Sequence, residues 1–402
     1  MQEIVVLGAG YAGLKTVVSL QKKSGDFHIT LVDMNDYHCE ATEIHEVAAG
    51  SVDRDKISYP IADVIHSNKV KFIQDQVTHI DKDQQVVTLK AQGQIKYDYL
   101  VVALGFVSET FGIKGAMENA LQMVNIDTAE AVHNHILDRM KAYQTTKDPD
   151  DLKLVICGAG FTGIELAGAF VDERARYAQI AGVDPKEIQI ICVEAAPKIL
   201  PMFKEEMANY AIDLLDKLDV QLKLGCMIKE IQPGKVLYST SKDSEELESI
   251  TTSTIVWTTG VSGSPVMEDS GFKARRGRVI VADDLRDPDH DNVYIIGDVA
   301  AFMDKSSDRP FPTTAQIAIA MGEHVAKNLD HQLQGQATEN FSFKSAGTVA
   351  SVGNTRGLGV VGSTNLKGYP ASFMKKIIMN KSLMDIGGLK EVFAKGRFDL
   401  YH

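Results

Sequence analysis

The chain has 402 residues, of which 44% are apolar and 24% charged, and carries a formal net charge of -12. That length exceeds one compact core and suits two or three domains of ordinary globular composition. The acidic balance argues against nucleic acid as the main partner. No apolar run approaches the roughly eighteen residues of a membrane span, and Met1-Gln2-Glu3 leads straight into a strand, so neither a signal peptide nor an exported location is expected.

The first predicted strand, Ile4-Val5-Val6-Leu7, empties into Gly8-Ala9-Gly10-Tyr11-Ala12-Gly13 and then a helix. In that context the glycine pattern has physical meaning. Gly8 permits a tight turn, Gly10 lets backbone approach a pyrophosphate, and Gly13 lets helix pack on strand, while the helix N-terminus offers free N–H groups to the anion. The second strand, His28 to Val32, ends at Asp33, at about the twenty-residue spacing of an acid that accepts a ribose hydroxyl. Further on, Tyr97 to Gly105 and Thr254 to Gly260 read as strands crossing to and from a second domain.

That second domain repeats the first fingerprint. Leu154-Val155-Ile156-Cys157 runs into Gly158-Ala159-Gly160-Phe161-Thr162-Gly163, and the strand Ile188 to Val193 ends at Glu194. An acid there accepts the 2'-hydroxyl of NADH and repels the 2'-phosphate of NADPH, and no Arg follows it directly. Glu165 falls in the first turn after the glycines, where a helix dipole favours a carboxylate in any case. A late strand, Asn292 to Ile296, ends in Gly297-Asp298, whose carboxylate can accept a hydrogen bond from a polyol.

Cys39, Cys157, Cys192 and Cys226 form no Cys-x-x-Cys or Cys-x4-Cys pair, so neither a redox disulfide nor a metal site is expected. Cys157 and Cys192 read as small buried residues within strands. Cys39, just after the second strand, reads either as another buried filler or as a lone reactive thiol. At the other end, residues 367–402 carry seven basic side chains against three acidic ones. Phe373, Met374, Ile377, Ile378 and Met384 fall on one side at helical spacing with Lys375, Lys376 and Lys381 at the edge. This pattern predicts a basic amphipathic helix lying in an anionic leaflet, the alternative being a helix docked on the protein's own core.

Several stretches resemble one family. Tyr37-His38-Cys39-Glu40-Ala41-Thr42-Glu43-Ile44-His45-Glu46-Val47-Ala48-Ala49-Gly50 is similar to the loop before the isoalloxazine pocket of type II NADH:quinone oxidoreductases. Phe106 to Gly115 resembles their crossover, and Glu194 to Phe203 and Pro312 to Ala318 match as well. The resemblance implies a single-subunit, non-proton-pumping enzyme that passes electrons from NADH through noncovalent FAD to a membrane quinone, a menaquinone in the Gram-positive type. It places Gly8 through Gly13, Asp33, Asn35, Asp36, Val77, Asp298, Ala315, Gln316 and Lys375 around FAD, and Gly158, Gly160, Gly163 and Glu194 around NADH. Glu165 would handle protons, and Gln316 would stand between flavin and quinone. The family's second Gln in that last motif is here Ala320, so one amide of the quinone mouth is missing.

The expected fold is α/β, with two Rossmann-like domains: FAD on residues 1–115 and 265–345, NADH on 116–264, and a C-terminal membrane-contact segment on 346–402. The expected location is peripheral, on the cytoplasmic face of the cell membrane, and a homodimer is left open. Two rivals stand beside this reading, a soluble NADH-dependent peroxidase or disulfide reductase using Cys39, and a flavoprotein that senses NADH for a partner.

Overall fold

The computed structural model describes residues 1–241 and 246–399. A six-stranded sheet runs in the order Arg286–Asp287, His290–Ile295, Tyr99–Val102, Gln2–Leu7, Phe27–Asp33, Val70–Gln74, and all but its outermost pair is parallel. Parallel strands are covered on both faces, which is why they read as unbroken apolar runs. Ile4, Val5, Val6 and Leu7 accordingly exclude solvent entirely, as do Leu100, Val101 and Val102. The Tyr11–Leu20 helix covers this sheet and packs so tightly on the Ala315–Leu333 helix that a Cβ on Gly322 would lie 2.3 Å from the Ala12 carbonyl oxygen.

A second, five-stranded parallel sheet has the order Leu121–Gln122, Thr254–Trp257, Lys153–Cys157, Gln189–Glu194, Val220–Leu224. Its register puts Cys157 beside both Val193 and Trp257, so the second glycine turn emerges at the carboxyl end of the central strand. The predicted crossover strands are corrected here. Tyr99–Val102 and Thr254–Trp257 each lie inside a sheet, next to its first fingerprint strand. The passage between the sheets is instead a two-stranded antiparallel ribbon, Phe106–Ser108 against Val261–Gly263. The sequence signal was misleading because the buried sheet strands are the long apolar runs, while the ribbon that makes the passage is short and partly exposed at Val107 and Val261.

The last part of the chain is an antiparallel sheet, Gly347–Ser351, Gly357–Val361 and Thr364–Lys367, followed by the helices Tyr369–Ile386 and Gly388–Lys395. Here the predicted place of Lys375 and Lys376 at the water edge of an amphipathic helix is overturned. Lys375 and Lys376 point inward and are buried, together with Ala371, Ser372, Met379 and Leu383. Phe373, Ile377, Ile378 and Met384 face outward, and Lys381 is exposed and paired with Asp385 one turn on. The lysines turn in because carboxylates wait for them. Charge attraction across a buried seam outweighs the simple periodic pattern. Among the described residues, no helix is long and apolar enough to cross a membrane.

Candidate functional site

The two glycine turns share one backbone design. Gly8 and Gly158 adopt φ of 99° and 109°, and a Cβ on Gly8 would lie 2.2 Å from the Ala103 carbonyl oxygen. Gly13 and Gly163 are pressed on the turn below them: a Cβ there would come within 1.9 Å of the Gly8 oxygen and 2.0 Å of the Gly158 oxygen. Gly10 and Gly160, by contrast, would point a Cβ into open space with nothing within 4 Å. That space, at the N-terminus of each helix, fits a pyrophosphate.

Each turn is tied to its acid in the same way. Asp33 accepts from the Ala9 N–H at 2.6 Å and the Asn35 N–H at 2.8 Å. Glu194 accepts from the Ala159 N–H at 2.8 Å and the Ala196 N–H at 2.9 Å. The carboxylates are thus held at the strand ends in one orientation, facing where a ribose would lie. Burial pushes the Asp33 carboxyl up, and the backbone donors, Ala9 first, pull against it.

Other residues assigned from the family fall at mixed distances from this turn. Tyr11 starts the first helix, and its hydroxyl donates to Glu40 at 3.0 Å. Asp36 is exposed in the turn after Asp33, and Val77 is a core residue at the start of the Val77–Asp81 strand. Asp298 sits in the 3-10 turn Gly297–Val299, where burial raises its carboxyl against the pull of Arg278. Ala315 and Gln316 open the Ala315–Leu333 helix, and the Gln316 side-chain oxygen accepts from the Ala346 N–H at 3.1 Å. Ala320 packs half-buried against the first core.

Glu165 and Lys375 meet in the seam between the two sheets and the C-terminal helix. Glu165 lies one full turn into the Phe161–Ala181 helix and accepts from Lys375 Nζ at 2.8 Å and from the Ser351 N–H at 3.1 Å. Its expected reliance on the helix N-terminus is therefore corrected, since its partners come from distant chain. Burial pushes the Glu165 carboxyl up, but the Lys375 ammonium, His45 and the hydrogen bonds bring it below the usual carboxylate range. Lys375 is depressed by burial and raised more strongly by Glu165 and Glu43, so it stays protonated.

Around this pair lies a charged cluster that the sequence reading did not assign. Lys375 Nζ is 3.6 Å from Glu43, and Arg397 contacts Glu43 at 3.5 Å, Glu46 at 2.6 Å and Asp399 at 3.1 Å. Burial pushes the Glu43 carboxyl well up, against the pull of Lys375 and Arg397. Glu46, Glu165 and Asp399 face Lys375, Lys376 and Arg397. Glu43, His45 and Glu46 also bring ligand-type atoms within 4.8 Å of one another, but Lys375 and Arg397 supply the positive charge beside them. The clue in the sequence was Glu43-Ile44-His45-Glu46, three ionisable groups inside a run too apolar for a solvated loop.

Cys39 is half-buried, and its thiol is pushed up to about 12, first by burial and then by Glu40. A reactive thiol needs the opposite shift. Cys157, Cys192 and Cys226 are buried.

Known proteins share this architecture. Residues 2–322 match the pyridine nucleotide-disulphide oxidoreductase family. A type II NADH:quinone oxidoreductase of Staphylococcus saprophyticus is 41% identical over 401 residues, 99% of each chain. One from Staphylococcus aureus strain NCTC 8325 is 42% identical over the same share. Among solved structures, NDH2 from Plasmodium falciparum in complex with NADH matches with TM-score 0.86 at 16% identity, over 98% of this chain and 97% of that one. The sulfide:quinone oxidoreductase of Aquifex aeolicus matches with TM-score 0.79 at 20% identity, over 100% and 96%. The paired glycine turns, each tied to an acid at a strand end, and full-length identity above 40% lead to one assignment: this chain belongs to the type II NADH:quinone oxidoreductases.

Proposed function

We propose that the chain is a non-proton-pumping NADH:quinone oxidoreductase that binds FAD noncovalently at Gly8 to Gly13 with Asp33, and NADH at Gly158 to Gly163 with Glu194. The observation that carries this reading is the duplication of one cradle, each with an open approach at its second glycine and an acid held by two backbone N–H groups. Bound flavin supplies two-electron chemistry that no side chain here offers. The chain's own contribution is orientation, exclusion of water and proton handling. Glu165, ionised against a protonated Lys375, is the group in the seam able to exchange a proton with a reduced acceptor. The acceptor is a quinone, with menaquinone the specific choice for a Gram-positive type.

The outward apolar faces of the last two helices suit a peripheral seat on the cytoplasmic face of the membrane. Phe373, Ile377, Leu389 and Phe393 stand exposed, Phe393 by 77%. Apolar insertion, rather than lysine attraction, then dominates binding, at about 25 cal/mol per Å² buried. Purified enzyme should oxidise NADH with a menaquinone analogue and not with hydrogen peroxide or disulfides, and Cys39→Ser should keep that turnover. Thiol-dependent turnover would defeat the proposal. Replacing Phe373, Ile377 and Phe393 together with Asp should release the protein from vesicles while a water-soluble quinone remains an acceptor.

A further inference from the structure

Behind the Glu165–Lys375 pair lies a polar cavity of about 370 Å³ that opens toward solvent. It is bounded by the Ile44–Ala49 helix, the middle of the Phe161–Ala181 helix, the turn after Gly347–Ser351, and the C-terminal stretch. Ser351 belongs to its wall and is itself buried. The same Ser351 hydroxyl lies 3.3 Å from Glu165 Oε1, and its backbone N–H donates to that same oxygen. Ser351 therefore borders the cavity and hydrogen-bonds the carboxylate.

We propose that the Ser351 hydroxyl is the relay by which solvent protons pass from this cavity to the Glu165–Lys375 pair during quinone reduction. The proposal rests on the reading of that pair as the proton exchanger. The overall reaction, NADH + H⁺ + quinone giving NAD⁺ + hydroquinone, consumes one solvent proton per turnover, the nicotinamide losing and the quinone gaining two electrons. When the pair gives a proton to the reduced quinone it is left one proton short. A cavity water, resupplied with a proton from bulk solvent, then passes a proton to Ser351 Oγ as Oγ passes its own to Glu165 Oε1, and both water and hydroxyl end as they began. A hydroxyl can do this because it both donates and accepts.

Charged groups surround the cavity and the pair. From the Ile44–Ala49 helix and the turn before it come His45, Glu46 and Glu43. The Phe161–Ala181 helix adds Asp172 and Glu173, and Lys375, Arg397 and Asp399 face them from the C-terminal stretch. At the mouth Asp172 pairs with Arg356, Glu173 with Arg176, and Glu46 and Asp399 with Arg397.

The test uses flavin-loaded enzyme and separates the two halves of turnover. Ser351→Ala removes the hydroxyl and keeps the backbone N–H on Glu165, whereas Ser351→Thr keeps both. Ser351→Ala should slow quinone reduction by pre-reduced enzyme at least about tenfold and enlarge its solvent isotope effect. NADH oxidation by the resting enzyme should be unchanged, and Ser351→Thr should restore quinone reduction. A readout independent of turnover is the Glu165 carboxylate band in the infrared, identified by its loss in Glu165→Gln. In substrate-free enzyme moved into D2O, its response should be delayed in Ser351→Ala alone. Wild-type behaviour of Ser351→Ala in both measurements, equal slowing of both halves, or failure of Thr to restore would overturn the relay. Quinone reduction as fast in Glu165→Gln as in wild type would overturn the reading of the pair beneath it.

Discussion

Gly10 offers a perturbation in which stability and ligand affinity separate cleanly. Its φ of -70° and ψ of -170° are ordinary extended backbone, and a Cβ there meets nothing within 4 Å. Gly10→Ala should therefore leave the apo fold intact, and restricting the unfolded chain adds about 0.4–1 kcal/mol of stability. The methyl instead occupies the approach of a pyrophosphate to the helix N-terminus. Loss of one hydrogen bond to a charged group costs about 1.5–3 kcal/mol, or roughly ten- to a hundredfold in affinity. Flavin content after purification, read at the visible absorbance band, and FAD affinity by fluorescence quenching measure the loss. Thermal unfolding of the apo protein measures the fold. Gly160→Ala is the matched partner, expected to weaken NADH by a similar factor while flavin stays stoichiometric. Gly13→Ala is the opposite control, because its Cβ would sit 1.9 Å from the Gly8 oxygen and should damage the fold itself. Full flavin with unchanged affinity in Gly10→Ala would refute the assignment of the first cradle.

Glu194→Gln keeps an acceptor for the turn but removes the charge, so the preference for NADH over NADPH should narrow, as steady-state kinetics with both nucleotides would show. Lys375→Met leaves Glu165 buried without its cation and should cost about 3–5 kcal/mol in urea unfolding, with Lys375→Met/Glu165→Gln recovering part of it. Glu40, buried between the Tyr11 and Ser382 hydroxyls, has its carboxyl pushed up to about 7 by burial. The folded state then holds a proton that the unfolded chain releases between its ordinary carboxylate value and about 7. Stability should fall as pH rises through that window, by up to about 1.4 kcal/mol per pH unit, and Glu40→Gln should flatten the slope.

Local rules made much of this molecule legible. A parallel strand buried on both faces must be continuously apolar, a turn that meets a phosphate must be glycine, and the acid closing the unit must stand at the next strand's end. Hence Gly8, Gly13, Asp33, Gly158, Gly163 and Glu194 could be placed before any coordinates were considered, since each obeys a constraint spanning only a few tens of residues. The seam obeyed no such rule. Lys375 is brought to Glu165 across 210 positions of sequence, and Ser351 across 186. Periodicity assigns a lysine to the water side of a helix because desolvating a lone charge is costly. That cost is offset only when a carboxylate, supplied by distant chain, already waits inside. So the nucleotide cradles were determined by neighbouring residues. The inward turn of Lys375 and Lys376, the burial of Glu43 and the cavity beside Ser351 were decided by tertiary packing, which alone sets which buried charges meet.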